Sequence, residues 1–293
     1  MKKSIFLLLL SLLSIVGQVS AQISDKQINE AKQLYDKGEY KAVIKLLRPA
    51  ESLTVINTQA EMLIGDSYHK QEDFVDAINH YDRAEKGGDN SFDLHFHRAR
   101  AYISIEEYKK ASKDMDKAIQ MQPNNAELYF FRAYAETELN HLHKAVDDYS
   151  RAIELDNEFQ EAYNNRAAIK IELEEYDGVM SDLQVAQNLN PESEDVSLML
   201  ARFSFENKNY EEAMELYKSI VENSDDRDVK IDANYYIAEC YDALGDQDNA
   251  CMFFYKAMKL GDKDSEEIYE SYCENNQIRT LFKPRKKLEK VTF

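Results

Sequence analysis

One pattern of small and large apolar side chains recurs every 34 residues along most of the chain. It is clearest over residues 92–193, where Ala99, Ala133 and Ala167 occupy one phase, Ala111, Ala145 and Val179 a second, and Ala118, Ala152 and Ala186 a third. Tyr108, Leu142 and Tyr176, then Met115, Tyr149 and Leu183, keep the same spacing. Pro123 and Pro191 share a phase with Asn157. A fixed period of this length means stacked copies of one helix-turn-helix unit, each burying its apolar side on its neighbours. The scarcity of Gly (8) and Pro (4) suits an all-helical chain.

With each repeat numbered from 1 to 34, seven repeats start at Ser24, Thr58, Phe92, Ala126, Gln160, Glu194 and Ile231. Position 8 is Ala31, Gly65, Ala99, Ala133, Ala167, Ala201 and Ala238; position 20 is Val43, Ala77, Ala111, Ala145, Val179, Ala213 and Ala250. Position 27 is Ala50, Ala84, Ala118, Ala152, Ala186, Ile220 and Ala257. Small residues let paired helices approach closely. Positions 17 and 24 carry mostly Tyr, Phe and Leu on one face of the second helix, with Gln247 as the exception, and fill the space between. The sixth repeat is longer by three residues, and the excess is expected in a polar loop over Asn223–Lys230. Glu136 and Lys170 stand at position 11, where large apolar residues are usual.

These phases resemble the tetratricopeptide repeat (TPR) family over Ser24–Asp264. The resemblance implies an all-α fold, a right-handed superhelical solenoid of helix-turn-helix repeats. The expected organisation is a signal peptide at 1–21, seven repeats within 22–264, a capping helix at 265–278 and a basic tail at 279–293. Ile268, Tyr269, Tyr272 and Cys273 form the apolar side of the cap.

The start of the chain fits export: Lys2 and Lys3, an apolar run Ile5–Val16, then Val19-Ser20-Ala21. An uncleaved anchor is the alternative, but the run is short for a membrane span. A bacterial lipid anchor at that junction would need a Cys there. Periplasmic or extracellular placement in a Gram-negative bacterium follows as the expectation. Cys240, Cys251 and Cys273 are the three cysteines. Cys240 and Cys251 sit on the two helices of one hairpin and could meet; the weightier alternative is buried free thiols.

Net charge is −19 and grows more negative once Lys2 and Lys3 are removed, which disfavours nucleic acid as a partner. The Lys283–Lys287 run is either a solvated tail or a contact element.

No phosphate loop, nucleophile elbow or calcium loop is present, and no catalysis, cofactor or metal is expected. His95/His97 and His141/His143 are spaced by two, which points their rings to nearly opposite sides of a helix.

Family resemblance implies that positions 2, 5, 9, 12 and 13 of the first helices line a concave groove. Phe96, Arg100, Phe130, Tyr134 and Phe205 would then face a protein or peptide partner. Asp93, Glu127, Glu161 and Asp195 fall at position 2, as an acidic stripe selecting a basic or apolar segment, as carboxylates favouring helix starts, or as both. The carboxylate clamp of TPR co-chaperones is missing: only Asn165 fits it, between Phe130 and Tyr134 before and Asp195 and Met199 after. The reading is a non-enzymatic interaction scaffold of the cell envelope. The alternatives are an assembly component docking by its convex face, ends or tail, and a glycan-handling protein.

Overall fold

The computed structural model describes residues 23–48 and 56–274. The signal segment 1–21, Ala50, the basic tail and the last four residues of the expected cap lie outside them. Among the described residues every regular element is helical, in two compact units that divide after His141.

The first unit holds α1 (Asp25–Asp36), α2 (Tyr40–Leu47), α3 (Thr58–His69), α4 (Phe74–Lys86), α5 (Phe92–Ser104), α6 (Tyr108–Met121) and α7 (Ala126–Glu138). Each helix packs on the next, and α1, α3, α5 and α7 also touch in succession. Side chains that stop the chain from unwinding at its helix starts explain the boundaries. Ser24, Asn57, Ser91 and Asn125 each accept a backbone N–H of the first turn.

The second unit holds α8 (Leu142–Leu155), α9 (Gln160–Glu172), α10 (Val179–Leu189), α11 (Glu194–Glu206), α12 (Tyr210–Asn223), α13 (Arg227–Ala243), α14 (Gln247–Lys259) and α15 (Lys263–Ile268). A π-helical turn, Tyr269–Glu274, continues α15.

The small-residue phases are the hairpin contacts. Every described residue at positions 8, 20 and 27 is buried, most of them completely. Gly65 shows why: a Cβ added to it would lie 2.7 Å from the Tyr81 ring. Position 24 is equally buried, from Leu47, Tyr81 and Met115 to Tyr149, Leu183, Tyr217 and Phe254. Position 17 is only partly so, and Tyr176 is 53% exposed. The cause is local: α10 starts three residues late, after Gly178 at φ 80°, so Tyr176 precedes the helix.

Three further differences from the sequence expectation have physical reasons. The polar stretch after Asn223 is not a long loop. Asp226 caps α13 by accepting from the N–H groups of Asp228 and Val229, so the extra residues form an added turn of helix. Glu136 is buried because Ser112 Oγ donates to one of its oxygens and His141 Nδ1 lies 2.7 Å from the other. Lys170 reaches out of its helix to donate to the Asp177 carbonyl at 2.9 Å. The cysteines also pair differently. Cys251 of α14 bonds Cys273 of the π-helical turn, Cα atoms 5.7 Å apart, while Cys240 is buried and free. The turn after α15 brings Cys273 back onto α14, a path that sequence spacing does not reveal.

Two more 34-residue regularities emerge from the coordinates. Position 15 is left-handed at Gly38, Glu72, Glu106, Asn140, Glu174, Lys208 and Gly245, with φ between 60° and 82°. The next residue's N–H bonds back across the helix end, as in Glu107 N to Tyr102 O at 2.9 Å and Asn209 N to Ser204 O at 2.9 Å. Position 7 carries Arg98, Arg132 and Arg166. Arg98 donates to Asp114 at 2.7 Å within its own hairpin, and to Asp82 at 2.8 Å and Glu85 at 2.7 Å on the preceding helix α4. Arg132 reaches Asp116 at 2.6 Å, and Arg166 reaches Asp182 at 2.6 Å and Ser150 at 3.0 Å. Arg98–Asp114 and Arg166–Asp182 brace single hairpins, and the contacts to Asp82, Glu85, Asp116 and Ser150 tie each hairpin to the one before it.

Candidate interaction faces

In the first unit, the face formed by α3, α5 and α7 gathers aromatic and basic groups. Phe96 stacks on Phe92 at 5.5 Å and meets Phe131 edge-on at 6.2 Å. The guanidinium carbon of Arg100 lies 5.6 Å from the Phe96 ring centre and 5.2 Å from that of Phe131. Phe130 packs edge-on against Phe131, and Tyr134 against Tyr108. Burial raises both of these phenols, Tyr108 to about 12.

Beside this cluster, Asp66 accepts from the Tyr81 hydroxyl at 2.9 Å and lies 2.7 Å from His97 Nδ1. Burial opposes the charge on His97, but the Asp66 hydrogen bond and carboxylate outweigh it and raise the imidazole. His69 goes the other way. Burial, then the positive charges of Arg100 and His97, push it down to about 4. His95 faces away, to Asp114 at 3.1 Å and Asn90 at 2.8 Å. The spacing of two therefore sends the two rings to different partners.

The second unit presents a different lining on α11 and α13. Phe205, Glu206, Lys208, Tyr210, Glu239, Asp242 and Ala243 enclose a hollow of about 360 Å3. Glu206 receives a hydrogen bond from Arg202 Nε at 2.8 Å, and Asp242 one from the Tyr272 hydroxyl at 2.5 Å. Three carboxylates against one lysine make this lining negative.

The residues singled out from sequence divide by exposure. Arg100, Asp93, Glu127, Glu161 and Asp195 are exposed, and Phe130 and Tyr134 are half-buried. Phe96 is only 9% and Phe205 8% exposed, because neighbouring rings cover them. All four acids stand in the first turn of their helices, where the positive end of the helix dipole favours them. Phe131, which holds Arg100 from its second side, was not among the residues inferred. It stands at position 6, next to the inward-facing phase, and its contact depends on how α5 and α7 pack.

Tetratricopeptide repeat family models match residues 92–125, 126–159, 170–231 and 232–260. Comparison of the sequence with curated proteins finds no match. Among solved structures, MamA from residue 41 onward of Desulfovibrio magneticus RS-1 is similar with a TM-score of 0.54 at 16% identity, covering 58% of this chain and 98% of that one. YrrB, a TPR protein with an unusual peptide-binding site, is similar with a TM-score of 0.55 at 19% identity, over 61% and 91% of the two chains. MamA AMB-1 gives 0.52 at 17% identity, over 57% and 89%. At these identities the likeness is one of fold. The family matches span more than half of the 293 residues, two of them on the repeat boundaries at Phe92 and Ala126, and the chain belongs to the tetratricopeptide repeat family.

Proposed function

We propose that this protein is a non-enzymatic scaffold that holds a protein or peptide partner in a groove lined by its first helices. One observation carries the reading. The positions that join the hairpins are filled by small and buried residues, whereas Arg100, Phe130 and Tyr134 on α5 and α7 keep exposed or half-exposed surface. Half-exposed aromatics with a polar rim suit a partner segment anchored by apolar side chains. Among the described residues no three His, Cys, Asp or Glu side chains are grouped to hold a metal.

Export is part of the proposal. Lys2, Lys3, the Ile5–Val16 run and Val19-Ser20-Ala21 support it, and so does the Cys251–Cys273 disulfide, since such bonds persist in oxidising compartments. A bacterial cell envelope is the compartment we assign. The acids of α11 and α13 favour a basic stretch in the segment they meet, and they speed its encounter.

The test is affinity capture from an envelope fraction by the mature chain and by Phe130→Ala/Tyr134→Ala, with melting checked on both. Loss of the partner at unchanged melting supports the groove, and undiminished capture contradicts it. A second reading, docking through the C-terminal end, is favoured by the disulfide that fastens that end. It predicts that loss of α15 and the residues after it, and not the groove pair, abolishes capture.

A further inference from the structure

The proposed groove acquires a definite chemistry at Arg100. Arg98, Arg132, Arg166 and Arg202, also on first helices, each reach a carboxylate. Arg100 does not: among the described residues its guanidinium meets only the faces of Phe96 and Phe131. In a chain of net charge −19, a basic side chain that pairs with no acid among the described residues is informative.

Asp66 on the neighbouring helix α3 is occupied by Tyr81 and His97. Asp93 is two turns back on α5. Arg100 is exposed to solvent while its guanidinium carbon rests beside two ring faces, which reduces the side-chain freedom to be lost when a ligand arrives. Beside it, His69 Nε2 is buried without a hydrogen-bond partner, and that ring is held neutral near pH 7 by burial and by the adjacent cations.

We propose that the α5–α7 face of the first unit binds a side-chain carboxylate of the partner, a Glu or Asp within an extended segment, on the fork of Arg100, with a neighbouring apolar side chain against Phe130. A guanidinium pairs with a carboxylate through two parallel hydrogen bonds, and aromatic stacking leaves that edge available. The proposal rests on the groove reading and assigns opposite preferences to the two units: acidic at Arg100, basic along α11 and α13.

Three fluorescein-labelled peptides, acetylated and amidated so that the termini carry no charge, test it by anisotropy on the mature chain. They share the sequence Ala-Phe-Xaa-Phe-Ala, with Glu, Gln or Lys at Xaa. The Glu peptide should bind about tenfold more tightly than the Gln peptide, a difference typical of a charge-assisted pair. The Arg100→Gln variant should erase that difference, and Arg100→Lys should keep part of it. Far-UV circular dichroism verifies that both variants are folded. Equal binding of the Glu and Gln peptides, no binding by either, or an undiminished preference in Arg100→Gln overturns the inference. Stronger binding of the Lys peptide that is lost in Phe130→Ala/Tyr134→Ala also overturns it, while leaving the groove reading intact.

Discussion

The two units share one repeat and use it differently. In the first, second helices begin on phase, ion pairs from Arg98 and Arg132 link consecutive hairpins, and the first-helix face is aromatic and locally basic around Arg100. In the second, α10 starts late, α13 is a turn longer, a disulfide fastens the end, and the first-helix lining is acidic. The difference teaches that positions 8, 20, 24 and 27 set the hairpin, and that the other positions are free to diverge without loss of the fold.

The largest expected effect lies in the ion pairs of the first unit. Arg98 is 5% exposed and joins Asp114, Asp82 and Glu85. Arg98→Ala leaves buried Asp114 without its strongest partner and should cost ~3–5 kcal/mol in urea unfolding followed by circular dichroism. A loss under 1 kcal/mol, or one confined to the second unit in hydrogen exchange, would break the comparison.

In the second unit the corresponding lever is covalent. Cys273→Ser opens a loop spanning 22 residues and should cost ~3 kcal/mol on the chain-entropy account. Dithiothreitol should reproduce the loss in the wild type and change nothing in the variant. Overpacking comes next: Ala133 is fully buried at position 8, and Ala133→Leu should cost ~1–3 kcal/mol.

These examples mark how far the sequence was legible. Small residues at fixed phases betray hairpin contacts because close helix approach tolerates nothing larger, and Ala99, Ala133 and Gly65 could be read directly. Arg98 and Asp114 could not, because charged residues are so common that a pairing carries no signal until the helices are placed. Polar residues before α13 looked like a loop, since the Asp226 cap that turns them into helix is a local contact. Ring burial at Phe96 and Phe205 depends on neighbours contributed by other helices. The left-handed position 15 was hidden because Glu and Lys occupy it where Gly would announce it.

That last point gives a smaller test with the opposite sign. Glu106 at φ 62° and Lys208 at φ 64° hold conformations that glycine adopts without a Cβ clash. Glu106→Gly and Lys208→Gly should each stabilise by ~0.5–1 kcal/mol, one in each unit, read as a rise in Tm. Destabilisation by either would show that the side chain compensates for its backbone.

The smallest effect is a pH dependence confined to the first unit. The Arg98 hydrogen bond is the largest influence on Glu85 and, despite partial burial, holds its carboxyl down from 4.5 to about 2. A carboxyl with a lowered folded-state pKa adds stability that is present above the unfolded value and lost as pH falls through the folded one. Stability should therefore decline between pH 4.5 and about 2, and Glu85→Gln should flatten that part of the curve. Solvent exposure of Glu85 keeps the change modest.

The most direct test of the account is hydrogen–deuterium exchange of the mature chain, alone and with its captured partner. Protection is predicted on the first helices, foremost α5 and α7 around Arg100 and Phe130, with α11 and α13 following, and with α4, α6 and α12 unchanged. Protection confined to the second helices, or to α15 and the residues after it, would contradict the claim that the first-helix face is the binding surface.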